Sequence, residues 1–256
     1  MNQSERRRFL IQALLDERGE GRFRIPESST EQKQLLRSLM NVRLPKAADA
    51  DFLRIQDEYL REEIALKGIT DIRDLTPIEE GIYLWQGDIT TLRCGAIVNA
   101  ANSGMTGCYV PCHRCIDNAI HTFAGVQLRH TCGRIMREQG FDEPIGRAKI
   151  TPAYNLPCDY VIHTVGPIVG YRLTTEDEEL LRSCYRSCLE AAYENDIDSI
   201  AFCCISTGEF HFPNDRAAEI AVDTVREFRG EAGGGIDVIF NVFKDIDYQL
   251  YQRLLG

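Results

Sequence analysis

From Met1 to about Asp71, apolar residues recur three and four positions apart between charged ones. Leu10, Ala13 and Leu14 share one helical face, and Leu35, Leu36 and Leu39 mark another. Pro26 and Pro45 punctuate this stretch, because a proline ring clashes with the preceding helical turn and carries no amide hydrogen. Three helices and little strand are expected there. After Pro77 short apolar runs take over: Ile82 to Trp85, Ala96 to Ala100, Tyr160 to Val165, Ser199 to Ile205 and Val238 to Val242. Between them lie longer amphipathic stretches near Ile116 to Glu138, Glu176 to Asn195 and Asp215 to Arg229. Strand-length runs alternating with helix-length ones predict an α/β sheet with helices on both faces. Cys203 and Cys204 would then be strand neighbours facing opposite ways. Gly233, Gly234 and Gly235 mark a loop before the last of these strands.

Composition narrows the function. A chain of 256 residues, 44% hydrophobic, buries one ordinary core with enough left for a small extension. Its formal charge of -10 argues against a nucleic-acid partner held by phosphate neutralisation. An anionic ligand would have to be held locally, by backbone amides or a metal. No apolar run reaches the ~18 residues of a membrane span, so no membrane partner is expected. Arg6, Arg7, Arg8, Phe9 and Leu10 resemble the start of a twin-arginine export signal, but Asp16, Glu17 and Arg18 end the apolar run too soon. A cytoplasmic location with reduced thiols follows as the expectation. Of the ten cysteines, Cys94, Cys132, Cys158, Cys184, Cys188, Cys203 and Cys204 read as small core residues.

The other three stand apart. Gly107 to Cys115 contains Cys108, Cys112, His113 and Cys115, four soft ligands of the kind that hold zinc. No second ligand pair is evident elsewhere, which favours an open site with three protein ligands over a closed one with four. Spacing alone leaves open which of the four bind, and a loop of free thiols is the bland alternative. Pro111-Cys112-His113-Arg114-Cys115 also reads as half of a zinc deaminase signature, but that chemistry needs an upstream H-x-E, and His113 is the first histidine of the chain.

Four segments carry a resemblance. Gln86-Gly87-Asp88-Ile89-Thr90, Val98-Asn99-Ala100-Ala101-Asn102-Ser103, Tyr160-Val161-Ile162-His163-Thr164-Val165-Gly166-Pro167 and Ile205-Ser206-Thr207-Gly208-Glu209-Phe210, in that order, resemble the macrodomain family. The resemblance spans roughly Pro77 to Gly256. It implies a helical extension over residues 1–75 and a macrodomain over 76–256, a three-layer α/β/α sandwich with a mixed sheet and an ADP-ribose cleft at the strand ends. In it Asp88 accepts the adenine amino group with support from the Ile89 amide, unless Asp88 only caps the turn before Thr90. Asn99 and Asn102 lie beside the distal ribose, Asn102 in a catalytic role and Asn99 there or bracing the loop backbone. Ser206, Thr207, Gly208, Glu209 and Phe210 form a loop that wraps the diphosphate, with Phe210 packed on a ribose or serving as an apolar lid.

The departure from the family pattern lies after Asn102, where Cys108 to Cys115 replaces a run of glycines. This matches a zinc-containing branch, whose ligand set falls on Cys108, His113 and Cys115, one Zn2+ per chain, and leaves Cys112 unused. Asp117 matches the family's acidic residue and would orient water or cap the helix that begins there. His121, on that helix, reads as a packing residue. The implied activity is zinc-dependent hydrolysis of mono-ADP-ribose from acidic side chains of a modified protein. A non-catalytic ADP-ribose-binding module with structural zinc and a phosphatase acting on ADP-ribose 1″-phosphate are the alternatives. Members of this branch resemble components of bacterial operons for reversible ADP-ribosylation, and a monomer is expected. The N-terminal helices carry no recognised chemistry; covering a sheet edge or docking a partner are the roles open to them.

Overall fold

Three capped helices begin the chain in the computed structural model, which describes all 256 residues. Helix α1 (Gln3–Glu17) starts at Asn2, whose side chain accepts from the Glu5 amide while Glu5 reaches back to the Asn2 amide. Ser28 caps α2 (Ser29–Val42), Asp49 caps α3 (Ala50–Lys67), and Gly68, at φ 88°, ends α3. Leu10, Leu14, Leu36, Leu39, Ile55 and Tyr59 meet in a core of 12 buried residues to which only Val126 is contributed from beyond α3. Pro26 and Pro45 lie between helices, as the sequence implies.

Strand β1 (Thr70–Asp71) pairs only with β3 (Leu92–Arg93). The main sheet is built from β2 (Ile82–Gln86), β4 (Ala96–Ala101), β5 (Ala148–Pro152), β6 (Tyr160–Val165), β7 (Ser199–Phe202) and β8 (Asp237–Val242). Its order is β2-β8-β7-β4-β6-β5, parallel throughout except for β5, which runs against β6. The central strands are buried on both faces, so they read as continuous apolar runs. Helices α6 (Thr175–Glu194), α7 (Asn214–Glu231) and α8 (Asp245–Leu255) pack side by side on one face. Helices α4 (Ile116–Ala124) and α5 (Val126–Gln139) lie on the other, the placement that right-handed crossovers in opposite directions along the sheet require. The result is a three-layer α/β/α sandwich with a mixed sheet and a core of 45 buried residues, preceded by the helical region.

Four features differ from the pattern reading. The run Ser199 to Ile205 leaves the sheet after Phe202, so Cys203 and Cys204 belong to a loop rather than to a strand; Ile205 is apolar because that loop dips into the core. The amphipathic stretch 116–138 breaks at Gly125, at φ 98°, where a Cβ would strike the side chains of Gln127 and Gln56. Edge strand β5 and helix α8 have no counterpart among the expected elements. The N-terminal helices α2 and α3 stack on α4 and on the turn 89–91, and Ile64 of α3 joins the main core. Six of the seven cysteines assigned to the core are buried, and Cys204 is half-buried. No helix is long and apolar enough to cross a membrane.

Candidate functional site

Because β2, β8, β7, β4 and β6 run parallel, their C-terminal ends share one edge of the sheet. Open α/β sheets bind ligands at that edge. Five connections leave it: Gly87-Asp88 after β2, Phe243 after β8, the loop 203–212 after β7, the loop 102–115 after β4, and Gly166-Pro167 after β6. The loops interlock. The Val169 amide donates to the Phe210 carbonyl at 2.9 Å, and a Cβ on Gly166 would run into the Ser206 side chain. Of six non-glycine residues with positive φ, Met105, Cys112, Ser206 and His211 lie in these two long loops. Such backbone persists only where surrounding contacts impose it.

Beneath the loop after β4, Asp117 gathers both asparagines. Asn99 Nδ2 donates to Asp117 Oδ1 at 2.9 Å and Asn102 Nδ2 to Asp117 Oδ2 at 3.2 Å. Burial pushes the Asp117 carboxyl up to about 6, against the pull of those two amides and of Arg129. The cap of α4 comes from Cys115 and not from Asp117: the Cys115 thiol accepts from the Asn118 amide at 3.4 Å. Asn99 also braces the core by donating to His163 Nδ1 at 3.1 Å, which leaves the His163 proton on Nε2, 2.9 Å from Thr151 Oγ1. Burial pulls His163 down to about 3. His121 is buried, with Nε2 3.5 Å from Asp117 Oδ1 and no hydrogen bond at either ring nitrogen. Its ring leaves no room for a Cβ at Gly107, where φ is 82°.

The donor atoms of Cys108, His113 and Cys115 lie within 4.8 Å of one another. His113 Nδ1 is buried without a partner. Burial, with the neighbouring Cys108 and Asp117, pushes the Cys115 thiol up to about 12. A cation among these donors would reverse that bias, since thiolate is the ligating form. Two sulfurs, one imidazole and no fourth protein donor suit zinc with an open position. Cys112 faces away, its Sγ 3.2 Å from Ser38 Oγ of α2. A second triplet, His121, Cys132 and His163, is also close-set, but both His163 nitrogens are occupied by Asn99 and Thr151.

The loop after β7 is held by its own main chain. Thr207 N bonds Cys204 O at 3.4 Å, His211 N bonds Gly208 O at 3.1 Å, and Phe212 N bonds Ser206 O at 3.0 Å. The amides of Gly208, Glu209 and Phe210 find no acceptor within the protein, and Gly208 faces open space. Successive free amides are a backbone arrangement able to receive an anion without a basic patch. Glu209 Oε1 reaches to 3.8 Å from His113 Nε2, joining the two loops. Phe210 is half-buried.

At the far end, Asp88 caps the turn 89–91: Oδ1 accepts from the Thr90 amide at 3.0 Å and the Thr90 hydroxyl at 2.6 Å. Oδ2 accepts from Lys67 of α3 at 2.8 Å. Burial works to raise the Asp88 pKa, but the bonds from Lys67 and Thr90 outweigh it and hold the carboxyl below its usual range. Ile89 is buried. Phe243, an exposed aromatic, stands beside this turn: its carbonyl accepts from Gln86 Nε2, and Gly87 N bonds Val242 O. Motif reading missed both Phe243 and Lys67. An aromatic immediately after the run Val238 to Val242 signalled the first; nothing near Lys67 signalled the second.

A Macro domain family model matches residues 98–221. A protein of Treponema medium named "Protein-ADP-ribose hydrolase" is 57% identical over 100% of both chains. One of the same name from Staphylococcus aureus (strain MSSA476) is 47% identical over 96% of this chain and 93% of its own. Among solved structures, a Trypanosoma brucei macrodomain in complex with ADP-ribose superposes with a TM-score of 0.66 at 32% identity, covering 90% of this chain and 97% of its own.

Proposed function

The chain belongs to the macrodomain family, and on that footing we propose that it hydrolyses ADP-ribose from modified proteins with a zinc ion held by Cys108, His113 and Cys115. The observation that carries this reading is the convergence of that donor triplet with Asn102 and Asp117 at one loop, in a chain similar from end to end to a protein named for the activity. Adenine sits at the Asp88 end, its amino group donating to the exposed side of Oδ2, with the Ile89 amide in support and Phe243 beside the ring. The free amides of Gly208, Glu209 and Phe210 hold the diphosphate, and Phe210 packs on a ribose. The terminal ribose then falls against Asn99 and Asn102.

Asp117 fixes both asparagine amides through their nitrogens, so their orientation is set before substrate arrives. The carbonyl of Asn102 already accepts from the Gly104 amide at 3.0 Å, which anchors the start of the metal loop to the same side chain. Two thiolates neutralise a divalent cation, and zinc, when bound, supplies Lewis acidity beside the terminal ribose. The bond cut is the ester between C1″ of ADP-ribose and an aspartate or glutamate side chain, and Asn102 and Asp117 hold that linkage in place for water.

The test is release of ADP-ribose from a glutamate-modified protein, with metal content measured per chain before and after chelation. Turnover that falls with the metal and returns on adding zinc is expected. Undiminished turnover in stripped protein refutes the metal's role, and tight ADP-ribose binding without turnover by the zinc-loaded protein makes the chain a binding module.

A further inference from the structure

The loop that carries the metal triplet has little internal structure. Between Asn102 and Cys115 its internal backbone–backbone bonds are Met105 N to Asn102 O at 2.9 Å and His113 N to Val110 O at 3.2 Å, and the Ser103 carbonyl accepts from the Glu143 amide at 2.8 Å. Several of its other backbone groups are held by side chains from outside the loop. Arg37 of α2 donates Nη2 to the His113 carbonyl at 2.9 Å, and Nε and Nη2 to Asn118 Oδ1 at 3.1 and 2.8 Å. Asn118 in turn donates to the Val110 carbonyl at 3.0 Å. One helical turn on from Arg37, Asn41 accepts the Cys112 amide at 2.9 Å. Cys112 is held there at φ 54°, a left-handed conformation that a non-glycine residue adopts only under constraint. Arg129 donates to the Asn41 and Cys108 carbonyls, so the same scaffold reaches the first ligand of the triplet.

The charge pattern of α2 points the same way. Lys33 pairs with Glu63, and Arg43, just after the helix, pairs with Glu17; Arg37 pairs with no carboxylate, although the chain is acidic. Its guanidinium is spent on one loop carbonyl and one buried asparagine. A planar fork suits such fixed, divergent acceptors, whereas a lysine ammonium reaches fewer of them.

We infer that Arg37 and Asn41 are positioning residues that hold the loop 108–115 in its metal-binding shape, which makes helix α2 of the N-terminal layer a working part of the site. The inference rests on the reading of Cys108, His113 and Cys115 as metal ligands. It adds that a residue 76 positions upstream sets the backbone from which His113 projects. Residues that orient ligands from outside the coordination sphere typically change metal affinity about 10- to 100-fold when removed.

The test uses the full chain with R37K, R37M and N41A, and S38A as a neighbouring control that removes only the hydroxyl beside the Cys112 thiol. Two readouts are taken: zinc affinity by chelator competition, and amide hydrogen exchange of Cys112 and His113 in metal-stripped protein. Zinc affinity should fall at least about tenfold in R37K and N41A while exchange at Cys112 and His113 accelerates by a similar factor, with S38A near wild type. R37K serves if R37M fails to fold, since it keeps the charge and most of the side-chain volume. Unchanged zinc affinity overturns the inference, as does unchanged exchange. Wild-type protein that binds no zinc would instead refute the metal reading itself; accelerated exchange in the variants would then still show that α2 sets the loop shape.

Discussion

The loops after β4 and β7 flank the same strand ends, and they are built on opposite principles. The second is tied by three bonds of its own backbone and leaves the consecutive amides of Gly208, Glu209 and Phe210 free. The first has two such bonds over a longer stretch and relies more on contacts from other elements. It is shaped by side chains from α2, α4 and α5, and it adds sulfur and imidazole donors to a run of amides, Thr106 to Val110, that also find no acceptor in the protein. A loop stabilised by its own main chain tolerates change in its surroundings. One stabilised from outside makes distant residues part of the site.

The sharpest way to break this contrast is D117N. It keeps the volume of the side chain but replaces an acceptor of two amides with a group that must turn one donor toward a donor. Turnover on glutamate-linked ADP-ribose should drop about 100-fold or more, with ADP-ribose affinity from calorimetry far less affected. Equal losses in both would assign Asp117 to folding alone.

His163 anchors the floor of the same loop through Asn99. Its folded pKa of about 3 lies below the usual histidine value, so between about pH 6 and 3 the unfolded chain takes up a proton that the folded chain refuses. That contribution to stability is complete above the ordinary histidine pKa and is lost as pH falls. H163Q should flatten the acid limb of denaturant-derived stability by up to roughly 1.4 kcal/mol per pH unit in that window. An unchanged slope would mean that His163 is not held neutral.

The second loop is probed by G166A, whose Cβ meets Ile205 Cγ2 at 2.9 Å and overlaps the Ser206 side chain. Overpacking of this kind costs about 1–3 kcal/mol, so ADP-ribose affinity should weaken roughly tenfold while zinc content stays the same. Loss of zinc instead would show that the two loops do not act independently. The smallest effect belongs to K67A. Its ion pair with Asp88 is half-exposed, and such pairs contribute at most about 1 kcal/mol, so affinity measured by calorimetry should weaken two- to fivefold. A larger loss would give α3 a direct share in the ligand.

What the sequence disclosed follows the reach of each signal. The alternation after Pro77 and four short motifs carry the sandwich and both loops, because strand runs and loop chemistry are local. Spacing could not choose among Cys108, Cys112, His113 and Cys115; the family resemblance picked three of them, and the structure brings the donor atoms of those three together while the Cys112 thiol lies beside Ser38. The strand after Ser199 was read too long because apolarity marks burial, and Cys203 to Ile205 is largely buried without being in the sheet. Strand β5 escaped notice because it lies at an edge, where only Thr151 of Ala148 to Pro152 is fully buried and the apolar signal is weak. Arg37, Asn41 and Lys67 were invisible for a different reason. Their partners His113, Cys112 and Asp88 are brought to them only by the stacking of α2 and α3 on the sheet domain, and a helix-surface cation looks the same whether it faces water or a loop.

The sheet order has a bearing on how the molecule is made. Strand β2 emerges early from the ribosome, yet its one neighbour in the main sheet is β8, near the end of the chain. The three leading helices have an interior almost entirely of their own and can assemble while translation continues. The turn bearing Asp88 is anchored between β2 and the Val242 carbonyl, so it gains this support only once β8 has been made. Closure of the sheet beside that turn therefore waits on β8, whose Val238, Ile239, Phe240 and Val242 belong to the main core, and deleting β8 would unfold the whole sandwich rather than one end of it.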